Sequence, residues 1–269
     1  MSESNLPYAV LAPYYEELSD NRDWAAWLGF VEDVLRHEMP QERRAAEADG
    51  PEHLKQDRAV RLLDAACGTG RIARGLVDRG FDVVGVDVSA GMLGEAEKKR
   101  KGVEKRFLLH RQDVRELALD TTFKVAICLC DSLNYLLAPP DLQQAFQQIA
   151  AHLEPGGLFL FDVNTTWKLA HIYGDFTYAE HRENFSLVWE NTYEPATSMV
   201  EMHLVFFIKA ADGRYVRYDE THRQRAFSDE EIQTALTAAG LDCLERGHLF
   251  GLDPPEPLRE RVFYLARKA

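Results

Sequence analysis

The chain has 269 residues, 46% of them hydrophobic, and a formal net charge of −13. This is enough for one substantial hydrophobic core with insertions. The negative charge argues against a nucleic-acid partner, since such proteins bind phosphates through clustered Lys and Arg. We therefore expect no nucleic-acid partner.

Targeting and metal signals are both missing from the sequence. The first residues lack the basic start and apolar core of a signal peptide, and no apolar run approaches the ~20 residues that span a bilayer. We expect a cytoplasmic protein with no membrane partner, either a monomer or a homodimer. The four cysteines have neither zinc spacing nor a disulfide framework. No His/Asp/Glu cluster has convincing metal spacing, so no metal site is predicted.

The first half of the chain predicts an α/β domain. Apolar residues at helical spacing predict a helix over residues 24–39, and the charged stretch 40–58 is interpreted as a solvated linker. Strands and helices then alternate, which predicts a doubly wound, mostly parallel sheet with right-handed crossovers. The predicted strands are 59–63, 81–86, 106–110, 123–130 and 158–161, and the predicted helices are 71–79, 92–101 and 141–152.

The second half changes character and then returns to the α/β pattern. Runs of aromatic and β-branched residues at 185–193, 199–208 and 215–221 predict an antiparallel meander. The charged run 180–183 is interpreted as a solvated edge or hairpin. Ser228 and Glu231 form a capping-box pattern that begins a helix ending at Gly240, before closing strands at 241–249 and 260–266. The predicted units are an N-terminal cap with helix and linker (1–58), a ligand-binding core (59–163), a substrate roof (164–225) and a return to the core sheet (226–269).

The turn after the first predicted strand carries the main chemical signal. Residues 68–73 fit the pattern G-x-G-x-x-G/A, in which glycines let a ligand approach the backbone at a helix N-terminus. This pattern alone is compatible with a nicotinamide dinucleotide. Asp64 precedes the glycines, however, and would repel a pyrophosphate but attract a cationic ligand. The ammonium and sulfonium of S-adenosylmethionine suit that carboxylate, and Gly68 and Gly70 leave room for its methionine and ribose.

The next two strand ends also carry carboxylates, where ligands of open α/β sheets collect. Asp87 suits the ribose hydroxyls of either cofactor. Asp113 and Val114 could hydrogen-bond the adenine edge, and Met92 could cover its face. Each has an ordinary alternative, because Asp113 could cap the following turn and Met92 could belong to the core.

Five segments in register resemble the class I S-adenosylmethionine-dependent methyltransferases: residues 62–70, 84–93, 112–114, 123–132 and 153–157. Ala66 departs from the glycine of many members, at a position that contributes mainly a backbone carbonyl. The resemblance implies a Rossmann-like fold with a seven-stranded sheet, the meander inserted as a lid, and S-adenosylmethionine as cofactor. The implied cofactor-binding residues are Tyr15, Asp64, Ala66, Gly68, Gly70, Asp87, Val88, Met92, Asp113, Val114 and Leu129.

More narrowly, residues 8–17, residues 131–135 and the meander resemble a small-molecule branch that includes amino-sugar N-methyltransferases and uncharacterised bacterial members. In that branch the N-terminal segment closes over the cofactor and the meander roofs the substrate. The resemblance implies that Tyr15 contacts the methionine end of the cofactor. The alternative is that Tyr15 is an amphipathic anchor of the N-terminal segment.

Methyl transfer is an in-line displacement that needs alignment and a deprotonated nucleophile. Asp131 is the first candidate for orienting an amine acceptor or taking its proton, and Tyr14 is the second. A turn cap is the alternative for Asp131. The predicted substrate residues are Asn134, Tyr135, His222 and Arg225. Two other functions remain open, a nicotinamide-dependent oxidoreductase and a nucleoside-binding domain without catalysis.

Overall fold

The computed structural model describes residues 7–20, 22–38, 60–247 and 260–269. The predicted linker 40–58 and the last residue of the predicted helix 24–39 lie outside the described residues. So do residue 59 of the first predicted strand and the last two residues of the predicted strand 241–249.

Helices and strands alternate along the core as the sequence predicts. The helices are α1 (Tyr15–Leu18), α2 (Trp24–Glu38), α3 (Arg71–Asp78), α4 (Ala90–Lys99), α5 (Pro139–Ala151) and α6 (Asp229–Ala238). The strands are β1 (Arg61–Ala65), β2 (Asp82–Asp87), β3 (Phe107–Arg111), β4 (Phe123–Cys128), β5 (Leu153–Asn164), β6 (Thr177–His181), β7 (Phe185–Glu194), β8 (Met199–Lys209), β9 (Tyr215–Arg225), β10 (Leu241–Gly247) and β11 (Arg261–Lys268).

The main sheet has seven strands in the order β10-β11-β5-β4-β1-β2-β3, and β11 runs antiparallel to both of its neighbours. The prediction of a mostly parallel, doubly wound sheet is confirmed. Apolar side chains of α5 and α6 cover one face, and those of α2 and α3 cover the other. Residues 62–65 of β1 are all buried because the strand is covered on both sides.

The strand order reverses at β1, which pairs with β2 on one side and with β4 on the other. The connections on the two sides of this switch point run in opposite directions along the sheet. A crevice therefore opens outside the carboxyl ends of β1 and β4, which is where open α/β sheets bind their ligands.

A second, antiparallel sheet has the order β6-β7-β8-β9, and it confirms the predicted meander. β6 was not predicted as a strand. Its residues are mostly exposed at the sheet edge, so they lack the alternation that marks a half-buried strand. The inner face of this sheet buries Phe185, Leu204 and Phe206 against Tyr8 and Leu11 of the N-terminal segment, residues 7–20.

The turn after β4 is held by a buried carboxylate. Cys130 and Asp131 have positive φ angles of 62° and 57°, and their backbone N–H groups donate to the two oxygens of Asp162, at 2.6 and 2.9 Å. Successive N–H groups in such a conformation form an anion-binding concavity. Arg261 from β11 pairs with Asp162 and, at 2.6 Å, with Asp131. The carboxyl end of β4 is thus fixed to β5 and β11.

Replacing Arg261 should destabilise the fold strongly. Arg261→Leu leaves Asp131 and Asp162 buried without their cation, and losing one partner of a buried pair costs about 3–5 kcal/mol. Urea unfolding followed by circular dichroism measures this change. Arg267→Leu in the same strand is the matched control, since Arg267 pairs with Glu38 near the surface and such pairs contribute under about 1 kcal/mol. Equal losses in the two variants would contradict this account.

Candidate active site

A cavity of about 580 Å³ lies at the switch point, within the range typical of small-molecule sites. Four parts of the chain line it: the glycine turn after β1, the carboxyl ends of β2 and β3, the turn after β4, and the N-terminal segment. Of the eleven predicted cofactor residues, all except Gly70 line this cavity. The structure therefore brings together residues that are up to 114 positions apart, from Tyr15 to Leu129.

The glycine turn follows β1 with an unusual backbone. Ala66, Gly68 and Gly70 have φ angles of 68°, 55° and 72°, a region that costs a residue with a Cβ about 1–2 kcal/mol. A Cβ on Gly68 would meet open space, whereas one on Gly70 would lie 2.9 Å from the ring of Phe107. The missing side chain of Gly70 makes room for Phe107, and its role in leaving room for the ligand stays a prediction.

Asp64 lies near the end of β1, with its side chain at the floor of the cavity. It is 3% exposed, and among the described residues no donor reaches its Oδ2 atom. Burial, together with the nearby Asp87, raises the pKa of Asp64 to about 8. A buried carboxylate needs a proton or a cation. The cavity therefore has a site for a positively charged group at Asp64, which fits an ammonium.

Asp87 is the last residue of β2, and its carboxylate links the glycine turn to the loop after β2. Its Oδ2 accepts from the Gly68 amide and its Oδ1 from the Ser89 amide, both at 2.8 Å. Burial nevertheless raises the pKa of Asp87. Each carboxylate oxygen can accept a second hydrogen bond. Asp87 could therefore hold ribose hydroxyls while it keeps the glycine turn in place.

Asp113 and its neighbours form the far end of the cavity. Asp113 caps the short turn that follows it by accepting from the Arg115 amide at 2.9 Å, and it also pairs with the Arg115 guanidinium. The alternative of a turn cap is thus correct, although Asp113 lines the cavity as well. Val88 is 62% exposed and Met92 is buried. Together they offer apolar surface for the faces of a flat ring.

The N-terminal segment is held over the cavity by two carboxylates. Glu16 of α1 accepts from the Thr69 hydroxyl at 2.7 Å and pairs with Arg71 and Lys99 of the core. Glu220 of β9, which is 1% exposed, accepts from the backbone amides of Tyr8, Val10 and Leu11. Tyr8 and Tyr15 of this segment line the cavity.

Asp131, the first candidate for proton transfer, is paired with side chains outside the cavity. Its Oδ1 pairs with Arg261 and its Oδ2 accepts from Gln224 at 2.8 Å. Burial alone would raise its pKa, but nearby cations, chiefly Arg261, lower it to about 2. Such a weak base is poorly suited to take a proton near neutral pH. Asp131 also does not line the cavity.

The other predicted acceptor-side residues divide into two groups. Tyr135 lines the cavity and hydrogen-bonds His222 at 2.9 Å. Tyr14, Asn134, His222 and Arg225 do not line it. The ring of Tyr14 packs on Phe185 and Phe206. Asn134 joins the backbone of Asn164 to that of Arg225, while the side chain of Arg225 pairs with Glu231.

Several site residues were missed from the sequence. Tyr8, Trp24 and Arg71 line the cavity, and the Arg71 guanidinium lies 5.0 Å from the centre of the Trp24 ring. Glu16 and Glu220 hold the N-terminal segment. No local pattern marks these residues, because their partners are distant in sequence.

The described residues contain neither a metal-binding cluster nor a membrane-spanning helix. No group of three His, Cys, Asp or Glu side chains there could hold a metal ion. No helix in those residues is long and apolar enough to cross a membrane.

The doubly wound sheet and the carboxylate-lined cavity at its switch point define a Rossmann-like α/β protein that binds a nucleoside-sized ligand. Comparisons with known proteins narrow this class. A family model described as "Methyltransferase domain" matches residues 62–157. A Geobacillus sp. (strain WCH70) protein, provisionally named a methyltransferase, is 34% identical over 263 residues, covering 98% of this chain and 100% of that protein.

Two further relatives agree. An S-adenosylmethionine-dependent methyltransferase of Clostridium acetobutylicum, known from its crystal structure, is 28% identical with a TM-score of 0.78, over 95% of this chain and 96% of that one. A dTDP-3-amino-3,6-dideoxy-α-D-glucopyranose N,N-dimethyltransferase of Streptomyces fradiae is 29% identical over 74% of this chain and 76% of that protein. The chain belongs to the S-adenosylmethionine-dependent methyltransferases.

Removing the Glu220 carboxylate should free the N-terminal segment. In Glu220→Ala the backbone amides of Val10 and Leu11 lose their acceptor, so their hydrogen exchange should accelerate by at least about tenfold, since a bond to a charged group contributes about 1.5–3 kcal/mol. Hydrogen–deuterium exchange with mass spectrometry measures this. Glu201→Ala on the neighbouring strand β8, whose carboxylate pairs with Arg223, is the control. Unchanged exchange at residues 8–11 in Glu220→Ala would contradict the anchoring role.

Proposed function

We propose that this methyltransferase methylates the nitrogen of a small-molecule amine, with an amino sugar as the leading candidate. The observation that carries the proposal is the cavity wall formed by Tyr8 and Tyr135, behind which His222 is buried. These groups are hydrogen-bonding side chains that suit an amine acceptor. Tyr135 comes from the turn after β4, and β4 pairs with β1 on the side opposite to β2.

Each end of the cofactor has a matching group in the cavity. Asp64 would hold the ammonium of the methionine end, next to Tyr15, and Asp87 the ribose hydroxyls. Asp113 and Val114 would bind the adenine edge, with Val88, Met92 and Leu129 against apolar parts. When bound, S-adenosylmethionine supplies a methyl group on a sulfonium sulfur, which becomes a neutral thioether as the acceptor takes the methyl.

Arg22 adds a candidate contact that the sequence alone did not suggest. Its Nη1 atom is buried without a hydrogen-bond partner among the described residues. The Arg22 guanidinium also interacts electrostatically with Tyr15, a cavity residue. We infer that it faces the carboxylate of the methionine end, where a fixed cation would complement the anion.

The relatives support an amine acceptor. The S. fradiae protein is named for an amino sugar, and so is a dTDP-3-amino-3,4,6-trideoxy-α-D-glucopyranose N,N-dimethyltransferase of Streptomyces venezuelae, which is 28% identical over 86% of this chain and 89% of that protein. The net charge of −13 favours a small acceptor over a nucleic acid. We also propose a cytoplasmic location, with the chain as a monomer or homodimer.

Cofactor binding should depend on pH through Asp64. Because the raised pKa leaves this carboxyl group protonated below about pH 8, it must release its proton to bind an ammonium. The dissociation constant of S-adenosylhomocysteine should therefore fall as the pH rises from about 6 to 7.5, by up to tenfold per unit, with about one proton released. Isothermal titration calorimetry in buffers of different ionisation enthalpy measures both quantities.

Asp64→Asn should weaken this binding by roughly 10- to 150-fold, the loss expected for one charge-assisted hydrogen bond, and abolish the proton release. Asp82→Asn is the control, since Asp82 starts β2 and pairs with Arg106 outside the cavity. Proton release that persists in Asp64→Asn would show that another group binds the ammonium.

The acceptor class is tested with the full-length protein, S-adenosylmethionine and dTDP-3-amino-3,6-dideoxy-α-D-glucose as the probe. The expected product is the N-methylated amino sugar, identified by mass spectrometry together with S-adenosylhomocysteine. dTDP-6-deoxy-α-D-glucose, which differs from the probe only by a 3-hydroxyl group in place of the 3-amine, is the control and should not react. Equal or faster methylation of dTDP-6-deoxy-α-D-glucose, or no reaction of the amine, would contradict the proposal.

A further inference from the structure

Four polar side chains form a continuous path from the meander to the cavity. Glu220 Oε1 lies 2.6 Å from His222 Nε2. His222 Nδ1 lies 2.9 Å from the hydroxyl oxygen of Tyr135, which lies 2.7 Å from that of Tyr8. Glu220 and His222 are 1% and 2% exposed, whereas Tyr8 and Tyr135 line the cavity. The path therefore begins in the protein interior and ends at the ligand.

The buried end of the path fixes the protonation pattern of the imidazole. Burial would raise the pKa of Glu220, but the bonds from His222 and from the Val10 and Leu11 amides outweigh burial and hold the pKa below its ordinary value. An ionised carboxylate can only accept hydrogen bonds, so Nε2 of His222 must carry the hydrogen. A neutral His222 then has its lone pair on Nδ1, facing Tyr135.

The phenol groups of Tyr135 and Tyr8 connect Nδ1 to the cavity through hydrogen bonds. Nδ1 accepts the Tyr135 hydroxyl hydrogen, and the Tyr135 oxygen can then accept that of Tyr8. Burial raises the pKa of both phenols well above the ordinary value, so each remains neutral before and after it passes a proton. The Tyr8 oxygen keeps free lone pairs to accept a hydrogen bond from the acceptor.

We propose that the Glu220–His222 pair is the proton acceptor of the methyl transfer and acts through Tyr135 and Tyr8. This inference rests on the proposed amine acceptor. An ammonium N–H bond breaks as its proton passes to the Tyr8 oxygen, the Tyr8 proton passes to Tyr135, and the Tyr135 proton passes to Nδ1. The products are a neutral amine with a free lone pair and an imidazolium paired with the Glu220 carboxylate.

The same carboxylate also couples this path to closure of the site. Glu220 binds the amides of Tyr8, Val10 and Leu11 as well as His222. The Tyr8 ring lies against the imidazole with centroids 4.8 Å apart. The path is therefore complete when the N-terminal segment covers the cavity. Without that segment Tyr8 would be missing, and the path would end at the Tyr135 hydroxyl group.

Other titratable groups interact electrostatically with the two phenols of this path. Tyr15 comes from the N-terminal segment, Asp131 from the turn after β4, and Tyr173 from the segment between β5 and β6. Asp131 interacts electrostatically with both Tyr8 and Tyr135. Its low pKa and its bonds to Arg261 and Gln224 make it a fixed charge near neutral pH. Asp131 is therefore not the proton acceptor, and the path leads from the cavity to the imidazole of His222.

The first test does not depend on the acceptor. Full-length protein labelled with ¹⁵N-histidine is studied by NMR in complex with S-adenosylhomocysteine, and the His222 signals are assigned by their absence in His222→Gln. We expect hydrogen on Nε2 and a lone pair on Nδ1 at neutral pH. Hydrogen on Nδ1, in either the other tautomer or a resting imidazolium, would overturn the proposal, because His222 could then not accept a proton from Tyr135.

The second test measures kcat against pH with dTDP-3-amino-3,6-dideoxy-α-D-glucose. His222→Gln and Tyr135→Phe should lower kcat by about 100-fold near neutral pH, as for loss of a general base, with S-adenosylhomocysteine affinity within about twofold of wild type. The deficit should shrink as the pH rises and the free amine becomes abundant. His203→Gln, on the exposed face of β8, is the matched control and should behave like wild type.

The outcomes separate the two proposals. A pH-independent loss in His222→Gln accompanied by weaker S-adenosylhomocysteine binding would mean that His222 is a structural anchor, and would overturn the proton path. If the wild type does not methylate the amino sugar, that result contradicts the proposed function and not the proton path. The NMR experiment then tests the proton path alone, because it shows which nitrogen of His222 carries the hydrogen.

Discussion

The buried carboxylate of Asp64 is the constraint on which the site depends. It lines the same cavity as the glycine turn and the N-terminal segment, and one of its oxygens has no partner among the described residues. Such a group holds a proton or attracts a cation, because isolated charge is costly in the protein interior. The turn at Ala66 and Gly68, the hydrogen bonds that Asp87 accepts and the N-terminal segment at the cavity together maintain this environment. The fold thereby retains a place for a cationic ligand.

Features set by local sequence were predictable. The glycine turn, the carboxylates that end β1 to β3, and the capping box of Ser228 and Glu231 each depend on residues a few positions apart. Alternating strands and helices leave few possible topologies, so a doubly wound, mostly parallel sheet followed from the pattern, whereas its seven strands were implied by the family resemblance. The cavity end formed by Asp64, Asp87 and Val88 followed from the same pattern, since parallel strands place their carboxyl ends along one edge of the sheet.

The acceptor side could not be predicted in the same way, because its contacts join distant parts of the chain. Asp131 looks like a free carboxylate in sequence, and its partner Arg261 is 130 residues away. Gly70 fits a ligand-binding pattern, yet the neighbour that requires a glycine is Phe107. Glu220 and His222 alternate with exposed residues, as in any meander strand. Their proposed role depends on Tyr8 and Tyr135, which lie next to them only in the folded chain.

The most direct measurement is a crystal structure of the full chain with S-adenosylhomocysteine. The account predicts the ligand ammonium within hydrogen-bond distance of Asp64 Oδ2, the ribose hydroxyls at Asp87, and the adenine between Val88 and Met92. It also predicts that the space beyond the sulfur is bounded by Tyr8 and Tyr135. A ligand whose ammonium lies away from Asp64, leaving Oδ2 unpartnered, would contradict the account.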